Sequence, residues 1–150
     1  LTTLVYVFDP DGRVLLLKRN HPPNQGLYSP PGGKVHIDES PKECAARELA
    51  EETGLTATLD SLTFAGIVTE TGYAAPGDQW VMFLYRLDWT EPVAEPPACE
   101  EGTFLWASVA DIPRLPIPET DRVVLWPGIS SNRLIDVHIR CADGQIVSVR

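Results

Sequence analysis

The sequence is poor in cysteine, and its cysteines form no pattern that would build a cross-link or a metal site. Cys44, Cys99 and Cys141 are odd in number and widely spaced, and no C-x-x-C pair occurs. Disulfide-stabilised domains and zinc sites need paired or clustered cysteines. The sequence therefore indicates neither class, and it favours a reducing, cytoplasmic location.

Long hydrophobic runs are also absent. A membrane-spanning helix needs about 20 consecutive apolar residues, and no stretch approaches that length. The first residues, Leu1 to Val7, contain no basic region and no cleavage site of the kind found in a signal peptide. We therefore expect no membrane partner.

Positive charge is scarce: 12 Lys and Arg stand against 21 Asp and Glu, a formal net charge of −9. A broad nucleic-acid surface needs clustered Lys and Arg, so a nucleic-acid polymer is not expected as a partner. A small phosphorylated metabolite is compatible with this charge because a bound metal ion reverses the local field. The 150 residues fit a single domain spanning 1–150.

Most of the chain reads as short strands separated by turn residues. Asp11-Gly12 and Asp143-Gly144 predict two hairpin turns, and a short helix is expected over Glu119–Trp126, after Pro118. The predicted strands are Leu4–Phe8, Arg13–Lys18, Thr58–Thr69, Trp80–Trp89, Cys99–Trp106, Leu134–Arg140 and Gln145–Arg150. Strands and helices mixed in this order predict an α+β fold with helices packed on a mixed sheet.

The clearest helix signals bound the segment Pro41–Thr53. Ser40 is a good N-cap, Glu43 three residues later completes a capping box, and Gly54 is a typical C-terminal stop. On this helix three carboxylates fall within an arc of about 100°, while the packing residues lie opposite. We call these carboxylates, Glu48, Glu51 and Glu52, the acidic face.

The acidic face has two interpretations. Charged helix faces are most often solvated, but like charges three and four residues apart repel, and the helix dipole disfavours anions in the last turn. Arg47 cannot neutralise all three carboxylates. A hard divalent cation such as Mg²⁺ or Mn²⁺ can, since oxygen ligands suit both ions.

The segment from Gly33 to Leu55 resembles the Nudix box: Gly, five residues, Glu, seven residues, then Arg-Glu-aliphatic-x-Glu-Glu-x-Gly-aliphatic. Every fixed position is present. The flanking pattern is similar to MutT-type members of the family. The resemblance implies an α/β/α sandwich and metal-dependent hydrolysis of a nucleoside diphosphate linked to a further group.

The resemblance also implies site residues. Glu48, Glu51 and Glu52 would be metal ligands with the Gly32 carbonyl. Glu48 is a ligand or the general base, with a distal acid as the other candidate for base. Glu101, before Gly102, is a candidate further ligand, although Glu100 is its rival and a solvated loop acid is equally compatible.

Further candidates follow from residue chemistry and position. Arg47 is expected to orient Glu51 and Glu39, against an ordinary surface ion pair. Lys34 and Arg19 are candidates for phosphate binding, although solvated side chains are the commoner outcome. Trp80 is a candidate to stack on a base, although a core position on a strand is the commoner outcome for such a residue.

The function expected from the resemblance is hydrolysis of a nucleoside triphosphate, for example an oxidised one similar to 8-oxo-dGTP, to a nucleoside monophosphate and pyrophosphate. Two alternatives remain: hydrolysis of ADP-sugars or dinucleoside polyphosphates, and a nucleotide-sensing module without catalysis. The expected partner is a small nucleotide or nucleotide conjugate. A homodimer is compatible with the sequence.

The metal interpretation predicts that divalent cations stabilise the fold. The carboxylates converge only when the helix is formed, so ligand binding raises stability by RT ln(1 + [L]/Kd). Millimolar Mg²⁺ or Mn²⁺ should raise the melting temperature in a thermal shift assay, and EDTA should reverse the effect. A melting temperature indifferent to both ions would mean that the acidic face is only a solvated surface.

Overall fold

The computed structural model describes all residues 1–150, and its strands belong to one mixed sheet. The strands are β1 (Thr2–Phe8), β2 (Val14–Arg19), β3 (Tyr28–Ser29), β4 (Thr63–Thr71), β5 (Gln79–Asp88), β6 (Gly102–Ala107), β7 (Ile135–Ala142) and β8 (Gln145–Val149). The helices are α1 (Pro41–Thr53) and α2 (Trp126–Ser130). No helix is long and apolar enough to cross a membrane.

The two helices lie on opposite faces of the sheet. Val5 and Val7 of β1 belong to the buried cluster that contains Leu49 of α1, whereas Tyr6 and Phe8 belong to the cluster that contains Trp126 of α2. Alternate residues of a strand point to opposite faces, so β1 is buried on both sides. The α/β/α sandwich implied by the resemblance is confirmed.

The predicted hairpin of β1 and β2 is confined to its turn. The two strands pair only at Phe8 and Val14. β1 runs parallel to β5 along its whole length, and β2 likewise runs antiparallel to β6. The resulting gap is occupied by a loop: Val5 N–H donates to the Pro31 carbonyl and Thr3 N–H to the Gly33 carbonyl, both at 2.8 Å. This loop therefore replaces β2 as the neighbour of β1.

Two other strands begin later than expected. β4 starts at Thr63 because Leu59–Ser61 form a 3-10 turn. β6 starts at Gly102 because Cys99 and Gly102 exchange backbone hydrogen bonds across a tight turn, with Cys99 N–H donating at 2.9 Å and Gly102 N–H at 3.2 Å. Glu100 and Glu101 are thus presented at the tip of a turn. The predicted C-terminal hairpin is present as β7 and β8.

The last helical segment is longer than predicted. It starts at Glu119, widens into a π-turn at Asp121–Leu125, and continues through Pro127 to Ser130. The sequence predicted a helix that ends at Trp126, and Pro127 has no N–H to donate. In the wider turn Trp126 N–H bonds to the Asp121 carbonyl five residues back, and the proline follows without ending the helix.

Candidate active site

Helix α1 is held at both ends by the residues that the sequence indicated. Ser40 Oγ accepts the Glu43 N–H at 3.3 Å, and the Glu43 carboxylate accepts the Ser40 N–H at 2.8 Å. Gly54 ends the helix at φ 75°, and its N–H donates to the Ala50 carbonyl at 2.9 Å. These caps fix where α1 begins and ends.

The three carboxylates of the acidic face differ in their exposure to solvent, which the helical spacing did not suggest. The buried positions of α1 are Cys44, Ala45, Leu49 and Thr53, whereas Ala46 and Ala50 are only half-buried. Packing centred on Cys44 turns the helix so that Glu48 and Glu52 are half-buried while Glu51 is exposed. The acidic face therefore borders the core and is only partly solvated.

Gly32 and Gly33 bring backbone against both the sheet and the acidic face. A side chain at Gly32 would collide with the Thr3 carbonyl of β1, and one at Gly33 would collide with the Glu48 carboxylate. Since Pro31 and Gly33 turn their carbonyls towards β1, the alternation of an extended chain turns the polar groups of Gly32 the other way. Its N–H accordingly donates to Glu52 Oε2 at 3.1 Å.

Arg47 binds three carboxylates at once. It donates to Glu39 through Nε at 2.9 Å and Nη2 at 2.7 Å, and Nη1 donates to Glu48 at 2.9 Å and Glu51 at 3.1 Å. The contacts with Glu39 and Glu51 are those expected, and the contact with Glu48 is additional. The bidentate bond lowers the pKa of Glu39 to about 2.

Glu52 is the acid whose ionisation is most disfavoured on α1. Burial, together with the charges of Glu48 and Glu101, raises its pKa to about 7, while the Gly32 N–H and Arg19 oppose the increase. Glu101 is therefore close enough to Glu52 to act on its charge. Both Glu100 and Glu101 line the same cleft as the acidic face.

The donor set fits a hard divalent cation. No three acidic, histidine or cysteine side chains converge on one point as the structure stands, since Arg47 binds Glu48 and Glu51 and Gly32 binds Glu52. The donors are nevertheless all carboxylate or carbonyl oxygens, which suit Mg²⁺ and Mn²⁺.

A cleft of about 640 Å³ runs from the acidic face to a second group of residues. Lys34 and Arg19 line the cleft near the acidic face, and Arg19 Nε is also bound to the Pro23 carbonyl at 2.9 Å. Trp80 lines the other part and is half-buried, so it is not a fully enclosed core residue. His36 is exposed.

The second part of the cleft contains acids that the sequence reasoning missed. We call this part the inner pocket, formed by Glu70, Tyr73, Trp80, Met82, Thr120 and Asp121. Burial raises the pKa of Glu70 and that of Asp121 to about 7 each. The available signal was strand alternation: Glu70 follows Val68 by two residues and shares its inward face of β4.

Comparisons with known proteins agree with the geometry. A family model described as NUDIX domain matches residues 1–125. A Nudix hydrolase of Bacillus subtilis, YvcI, is 33% identical over 79% of this chain and 73% of its own length. The oxidized purine nucleoside triphosphate hydrolase of Danio rerio is 34% identical over 75% of this chain and 69% of its own.

A solved structure shows the same fold over nearly the whole length. The MutT protein from Bacillus halodurans superimposes with a TM-score of 0.82 and 28% identity, covering 99% of this chain and 95% of that one. The likeness therefore extends well beyond the 33–55 segment.

Replacing Glu52 with Gln should make the stability of the metal-free protein less dependent on pH. The pKa of Glu52 rises on folding from 4.5 to about 7, so its favourable contribution is complete below pH 4.5 and is lost as pH rises through 7. Relative to wild type, Glu52→Gln should gain on the order of 1 to 3 kcal/mol in free energy of unfolding between pH 5 and pH 8.

The measurement is urea unfolding in EDTA at both pH values. Glu91→Gln, which alters an exposed loop glutamate, is the matched control and should follow wild type. Identical pH dependence of the free energy of unfolding in wild type and Glu52→Gln would show that folding does not raise the pKa of Glu52.

Proposed function

Because the chain belongs to the Nudix family of hydrolases, which act on phosphoanhydride bonds, we propose that its substrate is a nucleoside triphosphate and its products a nucleoside monophosphate and pyrophosphate. The observation that carries this proposal is the single cleft joining the acidic face to the inner pocket. One end suits a polyphosphate with its metal ion, and the other suits a base. The activity named for the Danio rerio relative supports the same substrate class.

Glu48, Glu51 and Glu52 would hold a divalent cation, Mg²⁺ or Mn²⁺, together with the Gly32 carbonyl, and Glu101 would approach from the turn before β6. When bound, the ion neutralises charge on the anhydride oxygens and lowers the pKa of the attacking water.

The remaining chemistry belongs to side chains of the cleft. The oxygen of water adds to phosphorus, the anhydride bond between the α- and β-phosphates breaks, and the proton passes to a carboxylate of the acidic face or to a distal acid. Arg47 holds Glu48 and Glu51 in position from behind. Arg19 and Lys34 supply positive charge to the phosphates, which offsets the repulsion expected from a chain of net charge −9.

The proposal is tested by identifying products. Deoxynucleoside triphosphates, 8-oxo-dGTP, an ADP-sugar and a dinucleoside polyphosphate are incubated with Mg²⁺ or Mn²⁺, and products are measured by mass spectrometry. We expect monophosphate and pyrophosphate from triphosphates, with turnover reduced at least about 100-fold in Glu52→Gln and unchanged in Glu91→Gln.

Other results would replace the proposal. Release of orthophosphate alone would contradict cleavage between the α- and β-phosphates. Cleavage of only the ADP-sugar or the dinucleoside polyphosphate would assign one of those substrates. Tight nucleotide binding with no cleavage of any compound would identify a sensing module.

Glu101 and Glu100 provide a matched pair of variants. A fourth carboxylate facing the metal site would help to hold the ions over the triphosphate, so Glu101→Gln should lower turnover and raise the Mn²⁺ concentration needed for half-maximal rate. Glu100→Gln should change little, because Glu101 is the neighbour whose charge acts on Glu52. Turnover is measured against Mn²⁺ concentration for both variants. A loss of turnover confined to Glu100→Gln would assign the ligand role to Glu100 instead of Glu101. Wild-type curves for both variants would restrict the metal ligands to residues 32–52.

A further inference from the structure

A hydrogen bond between two side chains joins the two sides of the cleft. The Tyr73 hydroxyl donates to Asn24 Oδ1 at 2.8 Å, and both residues line the cleft. Tyr73 follows β4 and Asn24 follows β2, and these two strands are separated in the sheet by β1 and β5. The bond therefore connects the inner pocket to residues 20–27 on the other side, which we call the β2–β3 loop.

The backbone of Asn24 is held as well as its side chain. Its φ is 64°, in the left-handed region, where Asn is tolerated better than most residues. The Leu27 N–H donates to the Asn24 carbonyl at 3.0 Å, which closes a turn within the loop. Because Asn24 is bound through both parts, its bond to Tyr73 constrains the β2–β3 loop and not only a side chain.

The residue before Asn24 orients Arg19. The Pro23 carbonyl accepts a hydrogen bond from Arg19 Nε at 2.9 Å, whereas Nη1 and Nη2 of Arg19 have no partner within the protein. A guanidinium held through Nε presents its two Nη groups side by side. This arrangement suits two oxygens of a phosphate group.

Arg19 lies at the end of the cleft that contains the acidic face. In the pairing of β2 with β6 it is opposite Gly102, the residue that follows Glu101. Both Arg19 and Glu101 line the cleft. A continuous series of contacts thus leads from Tyr73 in the inner pocket, through Asn24, to the guanidinium of Arg19.

From these contacts we propose that Tyr73 and Asn24 are positioning residues for Arg19. They hold the β2–β3 loop so that the Arg19 guanidinium faces the phosphate groups of the substrate. A long side chain that is not held in place loses rotamer freedom when it binds, and this loss weakens binding. The inference rests on the proposed function, since it assumes that phosphate groups bind beside the acidic face.

The test uses inorganic pyrophosphate, which has no base to occupy the inner pocket. Its dissociation constant in the presence of Mg²⁺ is measured by calorimetry for wild type and for Tyr73→Phe, which removes only the hydroxyl group. We expect binding to weaken by about threefold to tenfold, the effect of one hydrogen bond. Asn24→Gly, which keeps the positive φ accessible, should weaken binding at least as much. Tyr28→Phe alters a half-buried tyrosine that does not line the cleft, and it should bind pyrophosphate as wild type does.

A double-mutant cycle reports whether Tyr73 acts through Arg19. Lysine has a single nitrogen on its side chain, so Arg19→Lys keeps the charge but cannot bind the loop and present paired donors at once. In this background Tyr73→Phe should have no further effect on the affinity for pyrophosphate. Additive losses in the double variant would indicate general damage to the cleft and would overturn the inference.

Two other results would also overturn the positioning role. One is wild-type affinity for pyrophosphate in Tyr73→Phe, even if KM for a nucleoside triphosphate rises, because a direct contact between the hydroxyl and the base gives that pattern. The other is no measurable binding of pyrophosphate to wild type. The proposed function fails separately: if Tyr73→Phe weakens pyrophosphate binding only when Arg19 is present, but no triphosphate is cleaved, the positioning role is supported and the proposed reaction is refuted.

Discussion

The pairing of the Pro31–Gly33 backbone with β1 is the constraint on which the rest of the site depends. Two hydrogen bonds of 2.8 Å hold this loop in the gap between β1 and β2, and the absence of side chains at Gly32 and Gly33 lets it touch both β1 and Glu48. The Gly32 N–H is thereby aimed at Glu52. If β1 and β2 formed a complete hairpin, this loop would have no strand to pair with, and the acidic face would have no backbone opposite it.

The local signals in the sequence were sufficient for α1 and insufficient for the sheet. Ser40, Glu43 and Gly54 act within one turn of the helix ends, so their effect can be read from spacing alone. The partner of β1 is β5, more than 70 residues away, and no neighbouring residue encodes that choice. The β1–β2 hairpin was therefore overestimated from Asp11-Gly12, although the turn itself is present.

The same distinction applies to the cleft. Helix geometry alone predicts the spacing of Glu48, Glu51 and Glu52 and the proximity of Arg47. Gly32 was predicted because it directly precedes the segment from Gly33 to Leu55. Glu70 and Asp121 come from a strand and a π-turn that are about 50 residues apart, so only the folded chain brings them together. Each end of the cleft thus has at least one carboxyl group whose pKa is raised to about 7.

The order of the strands sets the distance between the two ends of the cleft. The Gly32–Gly33 segment borders β1, β1 borders β5, which carries Trp80, and β5 borders β4, which carries Glu70. Neighbouring strands are about 4.8 Å apart, so two to three such spacings separate the two ends of the cleft. Backbone hydrogen bonds fix this length more firmly than any side chain does. Pyrophosphate alone or a free base is too short to span this distance. Only a molecule that carries both a pyrophosphate group and a base can contact the two ends of the cleft at once.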